Sequence, residues 1–273
     1  RSTHPDSSAA SDVYKRQNLK TLKLPGVLSL YSEQAMTAIK EKQSYEQYLL
    51  SLSRFEVEQR FNRRIKYLLK GARFPKEKTL DQYDFSKIQT PKEVIVQMCH
   101  GNFLSGGENI IFYGNPGSGK THLAIAIGRE LCLKGFKVLF YTGCSLIQDL
   151  VKAKNNLTLT NLFKRLNSYD LVIVDELGYI PFEKREGDLL FQFISDRYEK
   201  KSLLITTNLA FSEWDKIFKS TMTATAAIDR LVHYSQIFQF KAEASYRSDH
   251  AKRRLGKEAG NDQTWPLGPE QDA

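Results

Sequence analysis

The segment Gly114-Asn-Pro-Gly-Ser-Gly-Lys-Thr121 constrains this chain more than any other part of it. It reads G-x-x-x-x-G-K-T, follows the apolar run Ile110–Tyr113 and opens a helical pattern over Thr121–Leu133. A strand, a glycine-rich turn and a helix in that order make a cradle for phosphate. The turn directs several N–H groups at one anion, and the helix adds the positive end of its dipole. Lys120 supplies a point charge to the β- and γ-phosphates of a nucleoside triphosphate, and Thr121 offers a hydroxyl to Mg2+. Gly114, Asn115, Pro116, Gly117, Ser118, Gly119, Lys120 and Thr121 are the expected nucleotide-binding residues.

Four more short apolar runs accompany the first: Val138–Tyr141, Leu171–Val174, Leu203–Thr206 and Ile237–Phe240, with helical patterns between them. Short apolar strands alternating with helices predict an α/β domain of roughly 160 residues, a mainly parallel sheet flanked by helices on both faces. Two of these strands end in polar groups. Leu171–Val174 runs into Asp175-Glu176, where Asp175 can hold Mg2+ and Glu176 can polarise an attacking water as general base. A doublet of this kind favours hydrolysis over transfer to a small-molecule acceptor, a reaction that must exclude water. Leu203–Thr206 runs into Thr207-Asn208, and Asn208 is placed to orient that water or the γ-phosphate.

Upstream, residues 27–72 read as helical, with Tyr45, Tyr48, Leu49 and Leu52 at helical spacing. Over Arg54–Gly71 an apolar arc of Val57, Phe61, Ile65, Leu68 and Leu69 opposes a basic arc that includes Arg60, Arg63 and Arg64. Nine basic and three acidic residues lie between Arg54 and Lys78. That face is either simply solvated or a docking face for nucleic acid or another partner. Phe74–Phe85, with Pro75, suits a linker. The predicted organisation is a tail or cloning scar over 1–17, a small all-helical domain over 18–85, the sheet domain over 86–257 and a disordered tail over 258–273.

Composition narrows the setting. Lys and Arg total 40 against 31 Asp and Glu, a net charge of +9, which permits a polyanionic partner. No run approaches a membrane span, and residues 1–17 lack the apolar core of a secretory signal. Cys99, Cys132 and Cys144 stand apart, without metal-site or disulfide spacing. The expected location is the cytoplasm.

In combination and in order, the phosphate loop, Val174-Asp-Glu176, Thr206-Thr-Asn208, Asp229-Arg230-Leu231 and Ser245-Tyr-Arg247 resemble the AAA+ ATPases of the DnaC/IstB branch. Asp175–Phe182, Leu189–Tyr198, Leu24-Pro-Gly26 and Phe74–Phe85 resemble IstB, the ATPase helper of an insertion-sequence transposase, so that the resemblance spans about residues 18–257. It implies that Arg230 is an arginine finger acting on a neighbour's ATP, and that Arg247 touches ATP on its own subunit. It implies a homo-oligomer with ATP sites between subunits, which assembles on duplex DNA with little regard to sequence and hands that target to a transposase. Leu146–Leu166 takes the place of the branch's helical insertion, making Lys152, Lys154, Lys164 and Arg165 candidate DNA contacts beside Arg60, Arg63 and Arg64; a solvated helix face is the alternative for each. The expected activity is ATP hydrolysis with Mg2+. Two other readings remain at this point: a replicative helicase loader, and a nucleotide or small-molecule kinase, against which Glu176 and Asn208 argue.

Overall fold

The computed structural model of the chain describes residues 7–85, 88, 90–179 and 181–240. Its contacts divide the chain between Tyr67 and Leu68.

The first unit holds helices α1 (Ser7–Thr21), α2 (Pro25–Lys40) and most of α3 (Tyr45–Gly71). Residues 7–17, expected as a tail, are helical. Their side chains lack an apolar period, but Arg16 pairs with Asp12 at 2.8 Å and the Tyr31 hydroxyl of α2 donates to Asp12. The apolar arc expected on α3 holds at Leu68 and Leu69, which pack into a core, but is corrected at Val57 and Phe61. Val57 is 67% exposed and Phe61 faces solvent, whereas Glu56 is 3% exposed. Glu56 is buried because it serves the start of α2: its Oε2 accepts the N–H groups of Gly26 at 2.6 Å and Val27 at 3.1 Å. Those donors have no partner inside their own helix. Arg60 closes the arrangement, its Nε donating to Glu56 Oε1 at 2.8 Å and its Nη2 to Lys23 O at 2.7 Å.

The second unit begins inside α3, earlier than the expected boundary at 85. Phe74, Leu80, Tyr83 and Phe85 are packed against its core, and Ala72 O accepts the Phe140 N–H at 2.8 Å. The segment read as a linker thus covers an edge strand that would otherwise present unpaired backbone groups.

All five expected strands form: β1 (Asn109–Gly114), β2 (Val138–Thr142), β3 (Leu171–Leu177), β4 (Ser202–Thr207) and β5 (Ser235–Phe240). They make one parallel sheet in the order β2-β3-β4-β1-β5. Alternate side chains feed two cores, the arrangement that continuous apolar strands require. Ile110, Phe112, Val138, Phe140, Leu171, Ile173 and Leu204 face one side, with α4 (Lys92–Met98) and α5 (Lys120–Leu133). Ile111, Leu139, Val172, Val174, Leu203 and Ile205 face the other. That second side is covered by α6 (Gly143–Asn155), α7 (Leu159–Asn167), α8 (Lys184–Arg197), α9 (Asp215–Phe218) and α10 (Thr221–His233). Helix α6 starts on a capping box in which Thr142 Oγ1 accepts the Ser145 N–H at 3.2 Å and Ser145 Oγ accepts the Thr142 N–H at 3.0 Å.

One buried cation fastens the second side. Arg197 donates to Leu166 O at 2.8 Å, Ser202 O at 2.9 Å and Tyr169 O at 3.2 Å. It thereby ties the end of α7 and the turn into β3 to the start of β4. Burial pulls its guanidinium down to about 10. Among the described residues no helix is long and apolar enough to cross a membrane.

Candidate nucleotide-binding site

The site lies where β1, β3 and β4 end beside the start of α5. At the end of β1 the chain must turn against its neighbour. Gly114 has φ 143°, and a Cβ there would stand 2.0 Å from Phe240 O of β5, so only glycine fits. Gly119, at φ 95°, lies under Tyr83, whose hydroxyl would be 3.0 Å from an added Cβ. Lys120 follows at the first turn of α5, 8% exposed. Its Nζ donates to Gly114 O at 2.7 Å and Asn115 O at 2.8 Å, with Ser118 Oγ at 3.3 Å. The loop carbonyls hold a buried ammonium at the mouth of the helix, so the lysine's charge and the helix dipole act at the same place.

Thr121 and Asp175 are brought together. Thr121 Oγ1 donates to Asp175 Oδ1 at 2.9 Å. Asp175 is 3% exposed and accepts a second hydroxyl, from Thr206 on β4, at 2.6 Å. Burial pushes its carboxyl above the usual aspartate value; the two hydroxyl bonds oppose that shift and the neighbouring charge of Glu176 adds to it. A carboxylate oxygen and a threonine hydroxyl at contact distance are hard oxygen donors. Together with phosphate oxygens they suit Mg2+, which takes one or two protein ligands and leaves the rest of its shell to substrate and water.

Glu176 leaves the strand differently. Val174 pairs with Ile205 and Leu177 with Thr207, so Asp175 and Glu176 together oppose the single residue Thr206. This is a β-bulge, and it re-aims a side chain. Glu176 sits at φ 56° with its side chain exposed, and its N–H donates to Thr206 Oγ1 at 2.9 Å. Thr207 caps the turn that follows, donating to Leu177 O at 2.8 Å and accepting the Leu209 N–H at 3.1 Å. Asn208 is exposed just past the end of β4.

Of the remaining expected residues, those that are described lie outside this cluster. Arg230 makes its contacts on α10 and α8, its guanidinium 4.7 Å from the Phe191 ring centroid and its Nη1 donating to Ala226 O at 3.3 Å. Arg247 lies outside the described residues. Lys152, Lys154, Lys164 and Arg165 are exposed on α6 and α7, whose other faces bury Leu146, Leu150, Leu162 and Leu166 in the core. Arg60 and Arg63 both reach Glu56, at 2.8 and 3.5 Å, and remain about half exposed; Arg64 is exposed on the same helix.

Sequence reasoning missed Thr206, Tyr83 and His122. Thr206 was visible only as the end of an apolar strand. Tyr83 lay in the presumed linker, yet its ring stands 5.3 Å edge-on to His122, whose Nε2 meets Thr79 O at 3.0 Å. Burial holds the His122 imidazole below the usual histidine value.

A family model of IstB-like ATP-binding proteins matches residues 17–254. An insertion sequence ATP-binding protein of Sinorhizobium fredii is 36% identical over 245 residues, 88% of this chain and 82% of the relative. The IS5376 ATP-binding protein of Geobacillus stearothermophilus is 36% identical over 89% of this chain and 96% of its own length. The IS21 counterpart of Pseudomonas aeruginosa is 37% identical over 80% and 82%. Among solved structures, AMPPCP-bound DnaA from Aquifex aeolicus aligns with a TM-score of 0.53 at 19% identity, covering 68% of this chain and 56% of that one. The DnaC helicase loader aligns at 0.50 and 22%, covering 60% and 96%. At those identities the structural likeness speaks to the fold, the AAA+ arrangement of a phosphate loop on a parallel sheet. By its sequence, the chain belongs to the IstB-like ATP-binding proteins of insertion sequences.

Proposed function

We propose that this protein hydrolyses ATP with Mg2+, assembles on duplex DNA in the ATP-bound form and assists a transposase. The observation that carries the reading is the chain Thr121–Asp175–Thr206, with hydroxyl–carboxylate distances of 2.9 and 2.6 Å, set beside buried Lys120 and below an exposed Glu176. The loop N–H groups and Lys120 bind and orient the triphosphate. Thr121 and Asp175 hold Mg2+, which when bound neutralises charge developing on the phosphate oxygens. Glu176, turned outward by the bulge, takes a proton from the attacking water. Asn208 orients that water from the end of β4. Arg230, whose contacts in its own chain lie away from the loop, serves as finger for the ATP of a neighbouring subunit, and Arg247 reaches ATP in cis.

Lys152, Lys154, Lys164 and Arg165 form the proposed DNA face of the sheet unit, and Arg60, Arg63 and Arg64 that of the helical unit. Contacts of this type grip phosphates and carry little sequence information. The relatives' names support ATP binding and the insertion-sequence setting, and a fold shared with an AMPPCP-bound DnaA fits a nucleotide in the phosphate loop.

Three measurements test the reading. Anisotropy of a labelled random-sequence duplex should rise with ATP and Mg2+ but not with ADP, and Lys120→Ala should abolish the rise. Preference for a single strand, or no DNA binding, would favour a helicase loader instead. Glu176→Gln should keep ATP while phosphate release falls about 10²- to 10⁴-fold. Inactive Arg230→Ala and Glu176→Gln proteins should recover activity on mixing; no recovery in proven mixed assemblies would remove Arg230 as a finger acting between subunits.

A further inference from the structure

We propose that Thr206 is the positioning residue of the acidic pair, its one hydroxyl setting both carboxylates at once. The proposal rests on the Mg2+-dependent ATP site described above. Thr206 is 1% exposed. Its Oγ1 donates to Asp175 Oδ1 at 2.6 Å and accepts the Glu176 N–H at 2.9 Å, so its donor and an acceptor lone pair serve adjacent residues.

The register explains why a side chain is needed. Between the pairs Val174–Ile205 and Leu177–Thr207, β3 carries two residues where β4 carries one. A bulge leaves a backbone group outside the ladder, and an unpaired N–H here would be costly. The Thr206 hydroxyl takes the place of the missing ladder acceptor. By holding the Glu176 N–H it stabilises the φ of 56°, a region disfavoured for a residue with a Cβ, that carries the Glu176 side chain out of the strand. By donating to Asp175 it fixes one carboxylate oxygen beside Thr121, leaving the other to turn toward a cation. Thr206 reaches the reacting groups only through these two residues.

The test uses the full chain and three proteins: wild type, Thr206→Val, which keeps the shape without the hydroxyl, and Thr206→Ser, which keeps the hydroxyl. Mant-ATP binding is titrated with and without Mg2+, and phosphate release is followed alongside. In Thr206→Val, the Mg2+ needed for half-maximal enhancement of binding should rise about 10- to 100-fold, the scale of losing one hydrogen bond to a charged group. Phosphate release should fall similarly, with mant-ATP binding without Mg2+ unchanged, and Thr206→Ser should restore both. A wild-type Mg2+ dependence in Thr206→Val, or no rescue by serine, would overturn the proposal. So would a valine variant that also lost Mg2+-free binding, because the hydroxyl would then be a structural bond only. If wild type binds Mg2+-ATP but releases no phosphate, hydrolysis falls while the Mg2+ titration still decides the role of Thr206.

Discussion

Glu56 in the helical unit and Asp175 in the sheet unit are the two acidic residues buried among the described residues, each 3% exposed, and their surroundings drive them in opposite directions. Burial raises both. At Glu56 the Arg60 bond and the Val27 and Gly26 N–H groups outweigh it, and the carboxyl falls below its ordinary 4.5. At Asp175 two neutral hydroxyls do not outweigh it, Glu176 adds like charge, and the carboxyl stays above its ordinary 3.8. A carboxylate ringed by N–H donors and a guanidinium is satisfied by the fold and has nothing left to bind. One whose burial is not offset by its two hydroxyl bonds and the charge of Lys120 keeps an appetite for positive charge. The difference separates a structural acid from a ligand-seeking one.

The contrast can be broken most sharply at Glu56. Glu56→Ala should destabilise the helical unit by about 2–3 kcal/mol, less than the about 3–5 of a fully buried pair because Arg60 is half exposed. Chemical denaturation followed by circular dichroism reads this, and mant-ATP binding should be unaffected. An unchanged denaturation midpoint would mean that Glu56 is not what holds the start of α2.

The opposite sign is expected at Asp175. Asparagine keeps an acceptor for Thr121 and Thr206 but removes the desolvated charge. Asp175→Asn should therefore gain about 1 kcal/mol at neutral pH, about 2–4 °C in melting temperature for a domain of this size. It should lose Mg2+-dependent nucleotide binding at the same time. A lower melting temperature would show that the carboxylate's charge is well satisfied after all.

The smallest effect lies in pH. A carboxyl lowered by folding stabilises above its unfolded value and loses that contribution as pH falls through its folded one. Glu56 should thus make the wild-type denaturation midpoint fall as pH drops through and below 4.5, and Glu56→Gln should flatten that fall. Asp175, raised by folding, contributes most below 3.8 and loses it as pH rises through its folded value, so Asp175→Asn should gain least in acid. Parallel profiles for wild type and both variants would erase the contrast.

What the sequence could show of this follows from distance along the chain. The strands, the phosphate loop and the acidic doublet were legible because each is written in consecutive residues. The burial of Glu56 was not, since periodicity along α3 cannot say that the start of α2, 30 residues away, lies against it. Thr206 was missed for the same reason: its partners are 30 and 31 residues off, and only the register between β3 and β4 joins them. The start of the sheet unit was misjudged because Phe74 and Tyr83, which cover its core, lie among the proline, lysines and aspartates of a typical linker.

The bulge in β3 also has an arithmetic consequence. Val172 and Val174 face the core beneath α8, Leu171 and Ile173 the core beneath α5. Strict alternation would send Leu177 to the α5 side, yet it lies with Val172 and Val174. The strand changes parity between residues 174 and 177. Everything downstream, from Leu177 to the turn that Thr207 caps, is folded in the shifted frame. Deleting one residue of the bulge would therefore restore plain alternation and leave Leu177 on the side it already faces; what would go is the extra residue that lets Asp175 stay buried while Glu176 turns out.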